Sequence, residues 1–169
     1  LDALDGAKSR ATFYGALLVA LSLSISIENL PFIVVCLAVL PVAALLQPTV
    51  YADHLKALGL GLGLGLALAF FGTVSPSAYF VSHCDAFAAP HFFAGLLGAL
   101  GLIGLGFVLP KIPNLAMRAV LIAACGALPL GLIASLYPAC LHDPLRDLDP
   151  VLRAFWLSHV SEALPLSAN

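Results

Sequence analysis

"ATFYGALLVALSLSISIENLPFIVVCLAVLPVAALL", residues 11–46, contains a single charged residue, Glu28. Read as one helix it would run about 50 Å at ~1.5 Å per residue, well beyond a ~30 Å hydrocarbon core. The step Glu28-Asn29-Leu30 followed by Pro31 supplies a break, because proline is favoured in the first turn of a helix. The stretch therefore reads as a hairpin of two helices, Thr12–Ile27 and Pro31–Leu46. Each arm is short, so tilt is small or the hairpin tip sits slightly inside the bilayer.

The same alternation of apolar runs with proline or charge continues along the chain. The linker QPTVYADHLK leads to a third span, Ala57–Gly72. The loop TVSPSAYFVSHCDAFAAP leads to a fourth, His91–Leu109, and KIPNLAMR to a fifth, Arg118–Leu136. Hydrophobic residues make up 62% of the chain and charged residues 9%, against roughly a quarter charged in soluble domains. So few charges cannot cover the surface of a soluble domain, which makes lipid the solvent and membrane lipids the first partners. The expected fold is all-α: a polytopic membrane bundle over 1–136 with five transmembrane helices, followed by an external tail, 137–169. A formal net charge of −2 argues against a nucleic-acid partner, which requires a basic face. The start, LDALDGAKSR, is polar and lacks an initiating Met, so no cleavable signal peptide is read there and the chain reads as a fragment or a processed form.

Charge placement tests the span count. With five spans, the start and the Gln47–Lys56 and Lys111–Arg118 linkers share one side, which holds Lys8, Arg10, Lys56, Lys111 and Arg118, five of the seven basic residues. The other side receives Glu28, Asp85, Asp143, Asp147, Asp149 and Glu162, six of the nine acids. The positive-inside rule then places the start in the cytoplasm and the tail outside.

The GLGLGLGL run from Gly59 to Leu66 is not a dinucleotide fingerprint, which needs a strand, a turn and a helix in a soluble βαβ unit. It holds two overlapping GxxxG spacings, Gly59/Gly63 and Gly61/Gly65, which let another helix approach closely. Gly95, Gly98, Gly101, Gly104 and Gly106 in the fourth span are its expected counterpart.

Polar chemistry concentrates on the side of the tail. The loop carries His83, Cys84, Asp85 and His91, and the tail Cys140, His142 and Asp143. Imidazole, thiolate and carboxylate are zinc ligands, but the H-C-D spacing matches no ligand pair that one metal could use from one turn, and no metal or cofactor is expected. The competing reading pairs Cys84 with Cys140 as a disulfide on an oxidising side, leaving Cys36 and Cys125 as free thiols within spans. Glu28 has two readings as well. A carboxylate near hydrocarbon is a functional residue by default; alternatively it sits hydrated at a helix end with Asn29 capping the turn. With His83, Asp85, His91, His142 and Asp143 it would border one external polar vestibule.

In the tail, Asp149-Pro150 supplies an N-cap and a first-turn proline. Leu152, Phe155, Trp156, His159, Val160 and Ala163 recur at helical spacing, so residues 150–163 read as an amphipathic helix lying in the interface, with Trp156 as its anchor at headgroup depth.

SLSISIENLPFIVV, TVSPSAYFVSHCDA and YPACLHDPLRDLDPVLRAFWLSHVSEALPL resemble, in that order, the later part of a group of polytopic membrane proteins found mainly in alphaproteobacteria. That group shows a glutamate-x-leucine-proline step, an aromatic-to-CDA loop and a proline- and cysteine-bearing tail with D-P, W and E-x-x-P elements. Its full-length members are similar to C-type glycosyltransferases. The resemblance implies an enzyme taking a sugar from a polyprenyl-phosphate donor at the outer leaflet, and further transmembrane helices of a longer chain as partners. Glu28, Cys84, Asp85, Cys140, Asp149, Pro150, Trp156 and Glu162 match the group's features, with no catalytic role assigned. The acidic first-loop pair of such enzymes has no match here, and Asp143 stands where the group has glycine. The expected function is a membrane glycosyltransferase acting on lipid-linked sugars, with a transporter or a non-catalytic membrane scaffold as the alternatives.

Overall fold

The computed structural model describes residues 2–81, 84, 86–138, 140 and 149–152. Among the described residues, five long helices carry the fold: α1 (Asp2–Ile25), α2 (Leu30–Leu46), α3 (Pro48–Thr73), α4 (Ala89–Val108) and α5 (Leu115–Leu136). Short 3-10 turns follow α1 (Ile27–Asn29), α3 (Pro76–Ala78) and α4 (Leu109–Lys111), and a single helical turn covers Pro150–Leu152. The described residues contain no strand. The chain is an all-α membrane helix bundle.

Among the described residues, four segments are long and apolar enough to cross a membrane: Ile27–Leu46, Pro48–Thr73, Ala89–Lys111 and Leu115–Leu136. The first span, expected at 12–27, belongs to α1, which starts further upstream and opens with Asp2, Asp5, Lys8 and Arg10. Its apolar part, Ala11–Ile25, runs only about 22 Å, short of a full hydrocarbon core. Another difference lies at QPTVYADHLK, expected as a linker. Gln47 alone is the break, and Pro48 opens α3 in the first turn. The stretch is polar only on one side: Leu55 is fully buried, whereas Asp53 and Lys56 pair outward at 2.6 Å.

α3 is the axis of the bundle. Ser9 Oγ donates to the Asp53 carbonyl at 3.4 Å, Thr12 Oγ1 and His54 Nδ1 lie 2.9 Å apart, and Gly65 faces Leu17 and Ala20. Numbers rise together along both helices, so α1 runs parallel to α3. On α4 they run oppositely: Gly106 meets Ala52 and Lys56, and Gly59 meets Ala99 and Ile103. The two GxxxG spacings thus serve different partners, Gly61 and Gly65 admitting α1, Gly59 and Gly63 admitting α4. A Cβ at Gly59 would lie 2.5 Å from the Ala99 carbonyl oxygen, and one at Gly65 2.6 Å from the Ala20 methyl. In α4, Gly95, Gly101 and Gly106 have close neighbours, but Gly98 and Gly104 face open space, so the expected glycine counterpart is only partly used. The small residue opposite Gly59 and Gly63 is Ala99.

Two apolar clusters result. One joins Ala16, Ala20 and Leu23 of α1, Ile33 of α2, Leu58, Leu62, Leu66 and Phe70 of α3, and Ala89, Phe92 and Ala99 of α4. The other, nearer the α2–α3 corner, joins Ala44, Leu55, Leu105 and Leu109. No polar or charged residue among the described ones is buried. Outward, α2 and α5 present Val34, Val35, Val39, Val42, Val120, Leu128 and Leu130, a surface suited to acyl chains rather than water. Pro41 and Pro129 lie inside α2 and α5, and both are buried.

Candidate functional site

The alternation of helix directions sorts the chemistry into two ends. At one lie the ends of α1 and α3, the start of α4 and the end of α5, together with Glu28, Cys84 and Cys140. At the other lie Lys8, Arg10, Lys56, Lys111 and Arg118.

The first end is built on a broken helix. α1 stops at Ile25; Ser26 turns extended, with φ −146° and ψ 114°. One 3-10 turn then carries Glu28 before Leu30 and Pro31 restart the chain as α2. Asn29 occupies the N-cap position but lies in the helical region, with φ −74° and ψ −6°, and makes no side-chain capping bond. The expected cap is therefore absent: a residue already in helical conformation does not direct its side chain back to the first-turn N–H groups. Glu28 is exposed. It borders a cleft of about 300 Å³ lined by Leu23, Ser24, Ile25, Ser26, Ile27, Ala86 and Phe87. One wall comes from the α1–α2 turn and the other from the loop leading to α4.

That loop is tied down. Cys84 and Cys140 form a disulfide with Cα atoms 5.1 Å apart, closing 56 residues of sequence separation. The bond joins the loop before α4 to the chain just after α5. Cys36 and Cys125 are free. Beneath the loop lies an aromatic cluster that periodicity alone does not reveal. Phe70 stacks on Phe92 at 4.3 Å with planes 11° apart, Tyr79 approaches Phe70 at 5.2 Å, and Phe87 meets Phe70 edge-on at 6.3 Å. The signal for it was the placement of Phe70-Phe71 and Phe92-Phe93 at the ends of two helices joined by one loop.

Of the expected vestibule, Glu28 and His91 lie in described residues. His91 is half-buried in the first turn of α4, next to Phe92. His83, Asp85, His142 and Asp143 lie outside the described residues, as do Trp156 and Glu162. The helix expected over 150–163 is described only at its first turn. There Asp149 Oδ1 accepts from Val151 N–H at 2.8 Å, an N-cap bond of the type expected of Asp before Pro. The described residues hold no group of three metal-ligating side chains.

Chemically, the described residues of the cleft offer one carboxylate, the Ser24 and Ser26 hydroxyls and the Phe87 ring. Such groups can hydrogen-bond hydroxylated ligands or pair with cationic ones. No family model matches the sequence, no curated protein matches it, and no solved structure matches the fold.

Proposed function

We propose that this chain is the membrane-embedded part of an integral membrane glycosyltransferase that handles a lipid-linked sugar at the end carrying Glu28. The observation that carries this reading is the segregation of polar groups. The described interior buries no polar or charged residue, whereas Glu28 stands at an open cleft beside a disulfide-tied loop. A polyprenyl-phosphate sugar keeps its tail in lipid and its sugar at the surface, so it can reach that cleft without crossing the bundle. The glutamate-x-leucine-proline and CDA elements support the same reading through the family they resemble. Further transmembrane helices of a longer chain would supply the acidic first loop. A transport path is less well supported, because it needs polar groups or broken helices at mid-depth.

In this reading the chain sits in the bacterial inner membrane with the basic end in the cytoplasm, following the positive-inside rule. The disulfide end then faces the periplasm, the compartment in which such bonds persist.

A non-catalytic scaffold is favoured by one observation: among the described residues, Glu28 is the only titratable side chain lining the cleft. The two readings separate in proteoliposomes of the full-length protein supplied with a labelled polyprenyl-phosphate sugar. Transfer that falls at least ten-fold in Glu28→Gln, with folding intact, is the expected result. Absence of transfer by the wild-type protein would overturn the enzyme reading in favour of the scaffold. Transfer unaffected by the substitution would move the chemistry away from this cleft.

A further inference from the structure

At the end opposite the cleft, the contacts of α1 through α5 bring basic residues from distant stretches of sequence together. Ser9 and Thr12 bind the α3 segment at Asp53 and His54, which brings Lys8 and Arg10 to the turn of α3 that bears Lys56. Lys56 lies against Gly106 of α4, with its ammonium 4.9 Å from the Phe107 ring. Arg118 fastens the remaining corner: Nε donates to the Ile112 carbonyl at 2.6 Å, and Nη1 to the Leu45 carbonyl at 3.2 Å. Leu45 is in the last turn of α2, so one guanidinium joins α2, the α4–α5 linker and α5.

We propose that the corner formed by Lys111 and Arg118 binds the phosphate of an anionic phospholipid. A guanidinium carries five N–H donors in a planar fork suited to phosphate. Two are used on carbonyls, which fix the plane of the half-buried group, and three have no acceptor among the described residues. Lys111, next in sequence to Ile112, whose carbonyl holds Arg118, is exposed and has no partner among the described residues. Asp53, which lies at this end with Asp2 and Asp5 of α1, is engaged by Lys56 at 2.6 Å. Lys8, Arg10 and Lys56 lie at the same end of the bundle, where Asp2, Asp5 and Asp53 offset their charge, so Lys111 and Arg118 carry the site.

A lipid rather than free phosphate is the occupant because the corner continues into apolar surface. Leu46 is 72% exposed and Val42 59% exposed on α2, directly before the break at Gln47; Leu115 and Met117 are exposed at the start of α5. Acyl chains lying along α2 and α5 would meet these side chains while the phosphate meets Arg118 and Lys111, the arrangement of juxtamembrane basic groups on anionic lipid. This inference is independent of any activity at the cleft.

The test is native mass spectrometry and thermal unfolding of the full chain released from nanodiscs of phosphatidylcholine with or without phosphatidylglycerol. Wild-type protein is expected to retain phosphatidylglycerol selectively and to unfold at a higher temperature with it. Lys111→Gln should weaken retention about five-fold, one basic contact's worth. Arg118→Lys, which keeps the charge and loses the fork, should weaken it at least as much. Lys8→Gln, acting only through a screened field, should change it by less than about two-fold. Equal retention of both lipids overturns the proposal, as does selective retention that survives both Lys111→Gln and Arg118→Lys. Displacement of the lipid by inorganic phosphate at comparable concentration would overturn the lipid in favour of a free anion. Because Lys111 is exposed and unpartnered among the described residues, its variant keeps the test decisive should Arg118→Lys fold poorly.

Discussion

A single methyl group distinguishes glycines that hold this bundle together from glycines that merely occur in it. At Gly61 a Cβ would meet the backbone carbonyl of Phe13, and at Gly59 that of Ala99. Neither oxygen can move without carrying its helix away. Between lipid-immersed helices the attraction is packing rather than the hydrophobic effect, so a lost close approach is not offset by burial elsewhere. Gly61→Ala should therefore destabilise by about 1–3 kcal/mol, the usual cost of overpacking. Gly98→Ala, which enters open space, should be neutral or stabilising by up to about 1 kcal/mol, since Ala is the better helix former. Unfolding in mixed micelles with increasing denaturing detergent measures both; equal losses at the two positions would show that the α1–α3 contact is looser than described. Thr12→Val makes a smaller test of the same seam. It removes the hydroxyl facing His54 Nδ1 and should cost about 0.6 kcal/mol, typical of interhelical hydrogen bonds in bilayers.

At the scale of elements, the disulfide ties two connections that the helices already bring near each other. Chain entropy alone would give a cross-link of 56 residues about 4 kcal/mol. Here α4 and α5 are stabilised by the bilayer and by each other, so much of that entropy is lost without the bond. Cys84→Ser is expected to leave helical content unchanged by circular dichroism while exposing the chain after Tyr137 to protease. A collapse of helicity would mean that the bond holds the bundle itself. The helices were legible in sequence where proline or charge marked an end: Pro31, Pro138 and Lys111 each lie within a few residues of an observed boundary. α3 was misread at its start because polarity was taken for a loop, although Leu55 and Lys56 on adjacent positions face core and solvent. The aromatic cluster was not legible by periodicity, since Phe70, Tyr79, Phe87 and Phe92 share no period and meet only when the loop folds back; the paired phenylalanines at the two helix ends were its one sequence signal. Glu28 stood out as a lone carboxylate between apolar runs, yet its neighbours Ala86 and Phe87 could not be read from sequence, because they come from a segment nearly sixty residues away.

For the whole molecule, the helix directions set five basic residues at one end and Glu28 with the disulfide at the other. The proposed orientation makes a direct prediction. In intact cells an impermeant thiol reagent should label Ser77→Cys, in the 3-10 turn after α3, and should not label Ser9→Cys on α1, with the native cysteines Cys36 and Cys125 replaced by Ala in both. The opposite pattern inverts the molecule in the membrane and removes the periplasmic assignment of the cleft; labelling of both sites would indicate mixed insertion.

The Gly-Leu run also bears on how the gene can change. Repeated dipeptides invite copying errors that add or drop a unit, and by composition alone one Gly-Leu more or fewer looks harmless. Each unit, however, turns the rest of α3 by about 200°. The grooves for α1 and α4 lie on opposite sides of α3, so such a slip would aim Phe70 and the cleft end at the wrong neighbours while Leu55 and Lys56 stayed in place. The repeat is permissive in what it is made of and fixed in how long it is.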